Sequence, residues 1–252
     1  MDFLELPDRS GKPREQGITH VIDRGLSLAE VDGLVEVAGD YVDLVKLGWG
    51  TALATQNLQS KLSRYREHGV PVVLGGSLTE LAISQGKLDR LVAWVKELGL
   101  SYFEISDGTI MLEPERKIEL IRRLSEDFTV LSEVGSKDDT GAITPPYLWV
   151  EQMCAELEAG AWKVIAEGRE SGSAGIFRPS GEVREGLIDE IVHGVPSGRI
   201  LFDAPRKEQQ VWFVRRFGAD VNLGNIPPGE VLPLETLRRG LRSDTMGVAR
   251  RG

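Results

Sequence analysis

Eight short apolar runs recur along the chain, each followed by a longer amphipathic stretch, and this alternation constrains the fold more than any other feature. The runs are THVID (19–23), VDLVKLG (42–48), VPVVLGG (70–76), YFEISDG (102–108), TVLSEVG (129–135), WKVIAEG (162–168), ILFDAP (200–205) and DVNLGN (220–225). Val, Ile and Leu dominate them, as expected of strands buried on both faces. The stretches between them carry apolar residues at roughly helical spacing, as with Leu148, Met153, Leu157 and Ala161. The third unit holds two helical pieces, around 79–84 and 87–98. Repetition of this kind predicts an α/β fold with a parallel sheet closed into a (β/α)8 TIM barrel. The alternative is an open doubly wound sheet, but no G-x-G-x-x-G follows the first run. With no linker to divide it, the chain reads as one barrel domain over residues 1–252. A short N-terminal extension (about 1–15) and a basic C-terminal tail (about 241–252) flank the barrel.

In such a barrel the C-terminal ends of the strands carry the chemistry. Charged or amide residues fall at that end in nearly every unit: Asp23 and Arg24, Lys46, Glu104 and Asp107, Glu133 and Lys137, Glu167 and Arg169, Asp203, Asn222 and Asn225. Strand pleating puts Glu104 with Ser106, and Glu167 with Arg169, on shared faces. A buried carboxylate without a partner costs several kcal/mol. A ring of carboxylates therefore calls for cations, supplied by Lys46, Lys137, Arg169 and a metal ion. Taken singly, each position has a plainer reading as a helix cap or loop residue; Asp107 before GTIMLEPE can cap a turn. Their recurrence favours a site. The VNLGNI stretch follows the eighth run, where barrels commonly bind phosphate; Gly224 permits close backbone approach and Asn225 can donate.

Several classes are disfavoured. The net charge of −9 argues against a nucleic-acid surface. No apolar run approaches the ~18 residues of a membrane span, and no signal peptide is evident. A single cysteine, Cys154, excludes an internal disulfide and suits a cytoplasmic setting; within its helical stretch it reads as a core residue. His20, His68 and His193 are scattered without zinc-site spacing. GGSLTE (75–80) reads as a glycine turn opening a helix, with Glu80 beyond it.

The stretches KPREQGITHVIDRG, VKLGWGT, FEISDGTI, SEVGSK, EGRESG, the AP after Asp203, VNLGNI and LETLRRGLRSDT, in this order between about residues 12 and 245, resemble the phosphosulfolactate synthase family. The resemblance implies a (β/α)8 barrel and addition of sulfite to phosphoenolpyruvate, giving (2R)-2-O-phospho-3-sulfolactate. It also implies a Mg2+ requirement, small-molecule rather than nucleic-acid or membrane partners, and a possible homo-oligomer. In methanogens this chemistry opens a route to coenzyme M. On that basis Glu104, Glu133, Asp203 and Glu167 are the expected metal ligands. Lys137, Lys46 and Arg169 are the expected catalytic residues, with Lys137 as general acid. Arg24, Asn222, Gly224 and Asn225 are expected at the substrate. Asp203 stands where the family pattern carries the longer glutamate, and GGSLTE also departs from it. These departures motivate two alternatives: a related barrel with a different nucleophile, or a non-catalytic stress-related member.

Overall fold

Each of the eight apolar runs contains a strand. In the computed structural model, residues 4–110, 112–135 and 144–247 are described. The strands are β1 Thr19–Asp23, β2 Leu44–Leu47, β3 Val72–Leu74, β4 Tyr102–Ile105, β5 Thr129–Val134, β6 Lys163–Ala166, β7 Ile200–Asp203 and β8 Leu223–Ile226. Among the described residues the helices are α1 Leu28–Ala38, α2 Thr51–Ala54, α3 Leu58–Glu67, α4 Gly76–Ser84, α5 Leu88–Glu97, α6 Pro114–Ser125, α7 Pro146–Glu158, α8 Glu185–Gly194, α9 Lys207–Phe217 and α10 Val231–Arg238. The third unit carries two helices, α4 and α5, as its sequence predicts.

All ladders are parallel, in the order β3-β2-β1-β8-β7-β6-β5-β4. The end strands β3 and β4 pack side by side and close a (β/α)8 barrel. No backbone ladder joins them among the described residues; the first turns of α4 bridge the seam instead. Gly76 N–H donates to Glu104 Oε1 at 2.6 Å, and Thr79 Oγ1 donates to the Glu104 carbonyl at 2.8 Å.

Strand pleating sorts the side chains into two layers. Ile18, Leu44, Val73, Leu131, Ile165 and Leu201 meet inside the barrel. Their neighbours Val21, Val45, Phe103, Val130, Val164 and Phe202 face outward into the larger core under the helices. Both layers exclude water, so each strand needs apolar residues at nearly every position. Burying a Val, Leu or Ile side chain contributes roughly 1.5–3 kcal/mol.

The chain ends seal the N-terminal end of the barrel. Arg9 lies against Glu235 at 3.2 Å and Asp220 at 2.9 Å, and Arg238 donates to the Val221 carbonyl at 2.6 Å. Residues 241–247 of the basic tail fold back: Thr245 Oγ1 donates to the Leu237 carbonyl at 2.7 Å, and Asp244 pairs with Lys207 at 3.0 Å. No helix among the described residues is long and apolar enough to cross a membrane.

Candidate active site

The inward positions just above the apolar plug are polar. Lys46, Glu104, Glu133 and Asp203 occupy them on β2, β4, β5 and β7, with Ser106 and Glu167 immediately beyond β4 and β6; all are buried. Of these, Lys46, Glu104, Glu133 and Glu167 line a cavity of about 690 Å³ at the C-terminal mouth, together with Trp49, Arg169 and Asn225. A second cavity of about 750 Å³ at the opposite end is lined by Lys12, Arg14, Tyr102 and Trp162 among others. There Arg14 is engaged by Asp43 at 2.9 Å and Lys12 by the Gly39 carbonyl. Barrel chemistry sits at the C-terminal face, and the backbone marks the same end. Trp49, Arg169 and Asn225 are the only non-glycine described residues with positive φ, at 55°, 55° and 52°, and all three line the C-terminal cavity. Such conformations cost about 1–3 kcal/mol and concentrate at functional sites.

Each carboxylate is held in place. Glu104 Oε1 accepts the Gly76 N–H, and its Oε2 stands 3.6 Å from Lys46 Nζ. Glu133 Oε1 accepts from Ser106 Oγ at 2.9 Å. Glu167 accepts a short hydrogen bond from the Arg169 N–H. Asp203 Oδ2 accepts from the Gly168 N–H at 3.1 Å and from Asn225 Nδ2 at 2.7 Å. Oxygens of Glu133, Glu167 and Asp203 lie within 4.8 Å of one another. Asp203 Oδ1 is buried and has no hydrogen-bond partner among the described residues. Three convergent hard oxygen donors, one with an unused lone pair, fit a divalent cation such as Mg2+. Glu104, expected as a fourth ligand, sits outside this trio and faces Lys46.

The electrostatics follow from burial. Desolvation pulls the Lys46 ammonium down, but Glu104, then Asp203, Glu133 and Glu167, outweigh it and raise its pKa, so Lys46 is charged. Burial pushes Asp203 up to about 7, opposed by Lys46 and assisted by Glu133. His20, fully buried, is depressed well below its ordinary value by burial and by Lys46, and it is neutral. Both its ring nitrogens lack partners among the described residues.

Other strand-end residues fall elsewhere. Asp23 faces outward, accepting from Lys61 at 2.6 Å and Tyr65 at 2.9 Å and capping Gly25 and Leu26. Asp107 reaches the cavity but is tied at 2.9 Å to Lys117, a buried cation that also binds Glu156 and the Glu133 carbonyl. Arg24 is exposed, stacked 5.0 Å over Trp49 at the rim. Asn222, expected at the substrate, is instead a wall residue near the N-terminal end. Its amide serves Ile18 N–H and the Gly198 and Ile200 carbonyls, because it lies before β8 begins. Gly224 faces the interior, where an added Cβ would come within 3.0 Å of Asp203 Oδ1 and 3.3 Å of His20 Nδ1, so the glycine makes room for those side chains. Lys137 lies outside the described residues. Glu80 and Ser106 join the site without having been singled out as site residues from sequence. Glu80 is a buried carboxylate on α4, and the only sequence signal for it is an acid in the first turns after a glycine pair.

A nearly closed parallel barrel with a buried trio of carboxylates and flanking cations at its C-terminal mouth defines a (β/α)8-barrel enzyme. Structural similarity extends to 3-keto-L-gulonate-6-phosphate decarboxylase from Vibrio cholerae, with TM-score 0.55 and 10% identity over 94% of this chain and 98% of that one; at this identity the likeness concerns the fold alone. The sequence model of the family described as (2R)-phospho-3-sulfolactate synthase (ComA) matches residues 7–244. Phosphosulfolactate synthase of Bacillus subtilis is 43% identical over 247 residues, covering 97% of this chain and 98% of the relative. That of Methanothermobacter thermautotrophicus is 44% identical over 251 residues, covering 98% and 97%. The chain belongs to the phosphosulfolactate synthase family and is an enzyme of this kind.

Proposed function

We propose that this enzyme joins sulfite to phosphoenolpyruvate, giving (2R)-2-O-phospho-3-sulfolactate, with Mg2+ as cofactor. The observation that carries this reading is the Glu133–Glu167–Asp203 trio, two of whose members, Glu133 and Glu167, line one cavity with Lys46 and Arg169. The sulfur lone pair forms a C–S bond to the methylene carbon. The double-bond electrons move to the carbon bearing phosphate and into its carboxylate, and one proton completes that carbon. Glu133, Glu167 and Asp203 would hold Mg2+, which when bound supplies Lewis-acid stabilisation for the charge collecting on carboxylate oxygens.

Both reactants are anions, so a cationic wall must offset their approach to a carboxylate ring. Lys46, charged at all working pH values, sits within that ring. Arg169 and the rim guanidinium of Arg24 extend the positive charge outward, where phosphate and sulfite would enter. The proton donor in this scheme is Lys137, assigned from its place in the SEVGSK stretch. Asn225 holds Asp203 in position at 2.7 Å. A cytoplasmic setting suits a chain with one thiol, Cys154.

Product analysis by 31P and 13C NMR after incubation with phosphoenolpyruvate, sulfite and Mg2+ tests the reading. The expected result is a single phosphorylated sulfonate that forms only when all three are present. Consumption of phosphoenolpyruvate without sulfite would overturn it, as would undiminished turnover in excess EDTA.

A further inference from the structure

Helix α4 contributes a carboxylate that no part of the mechanism uses. Glu80 is 3% exposed. Its Oε2 accepts the Thr109 N–H at 2.9 Å, and its Oε1 meets Ser106 Oγ in a short hydrogen bond. Ser106 Oγ in turn lies 2.9 Å from Glu133 Oε1. One fully buried hydroxyl is thus wedged between two carboxylates, one from α4 and one from β5.

We propose that Glu80 is a positioning residue that fixes Glu133 through Ser106, a reading that rests on the metal role proposed for the carboxylate trio. The backbone makes this a rigid lever. α4 is clamped to β4 at its start by Gly76 N–H and Thr79 Oγ1. A Cβ on Gly76 would come within 2.5 Å of Ser106 Cβ, so helix and strand are in direct contact there. Glu80 therefore has no room to drift, and Thr109 pins its second oxygen. Ser106 Oγ lies within hydrogen-bond reach of Glu80 Oε1 and Glu133 Oε1 at once, so Glu80 fixes the place of the oxygen against which Glu133 rests. A glutamate side chain has three rotatable bonds, and a ligating carboxylate needs an outer hydrogen bond to hold one of its rotamers. Glu80 is outside the trio, so it acts through Ser106 and not on the ion.

The test measures Mn2+ affinity by electron paramagnetic resonance of the free ion, on folded full-length variants checked by circular dichroism. Glu133→Gln reports on the trio itself. Glu80→Ala and Ser106→Ala each break the proposed link and are expected to weaken Mn2+ binding by roughly 10-fold or more. The double variant is expected to lose no more than either single one, since both cut the same chain. Glu80→Gln keeps a polar side chain of the same length against Ser106 Oγ and is expected to keep near wild-type affinity. If Glu80→Ala does not fold, Ser106→Ala carries the same test. Normal affinity in Glu80→Ala and Ser106→Ala alongside weakened binding in Glu133→Gln overturns the positioning role and spares the metal reading. Additive losses in the double variant also overturn it. Unchanged affinity in Glu133→Gln removes the metal reading and the lever with it.

Discussion

Lys46 Nζ stands 3.6 Å from Glu104 Oε2 in a site where both side chains are almost wholly buried. The two residues reach each other across the seam of the barrel, from β2 and β4, over the short strand β3. Lys46 is the charge that allows several carboxylates to share one small volume, because desolvation of each is offset by attraction to the same ammonium. Replacing it with methionine leaves buried carboxylates uncompensated. Lys46→Met is expected to lower unfolding free energy by about 3 kcal/mol, measured by urea titration. It is also expected to reduce kcat by about 100-fold.

Asp203 gives a pH signature. Its folded pKa is raised to about 7, above the ordinary 3.8, by burial. A raised carboxyl favours the folded state while protonated, so its contribution is full at low pH and is lost as pH rises toward 7. The metal-free wild type should therefore lose stability relative to Asp203→Asn between about pH 4 and 7, with a slope on the order of 1 kcal/mol per pH unit. Thermal melts of both proteins across that range check it, and added Mg2+ should suppress the loss by competing with the proton.

Gly76 is the hinge of the α4 clamp. An alanine there would place Cβ 2.5 Å from Ser106 Cβ and 3.1 Å from Glu104 Oε1. Gly76→Ala is expected to cost about 1–3 kcal/mol through overpacking and to lower turnover more than substrate affinity, measured by chemical denaturation and steady-state kinetics.

Asp23 provides the contrasting case. It is a strand-end carboxylate that points away from the mouth into Lys61 and Tyr65. Asp23→Ala strands the buried Lys61 and is expected to destabilise the fold by about 3–5 kcal/mol, while kcat per folded molecule stays near wild type. Denaturation curves combined with active-site-normalised rates separate the two effects.

Lys137 is the proposed proton donor. Lys137→Ala is expected to abolish turnover without shifting the melting temperature, and to retain phosphoenolpyruvate binding by isothermal titration calorimetry. Near-normal turnover would remove it from the reaction.

The order of elements and the end of the barrel that carries the chemistry were legible because both are local properties. A run such as VDLVKLG is buried on both faces or it is not a central strand, and an amphipathic stretch after it has one face to hide. Lys46, Glu104, Glu133 and Asp203 are legible this way, since charges that recur at the same end of successive strands point to a shared polar site. The parity of each strand was harder to read. Asp23 and Glu104 look alike in sequence, yet one extra residue of pleat turns Asp23 outward, and Asn222 ends at the opposite rim from Asn225.

What the sequence alone determined is the eightfold alternation and the stock of charges at one end of it, because burial and helical or strand spacing act on neighbours along the chain. Only the tertiary structure decided which charges meet: that Glu133, Glu167 and Asp203 converge, that Lys46 faces Glu104 across the seam, and that Glu80 reaches Glu133 through Ser106. Those distances depend on strand tilt, register and the docking of α4, which are set by packing between segments far apart in the chain and leave no trace in local spacing.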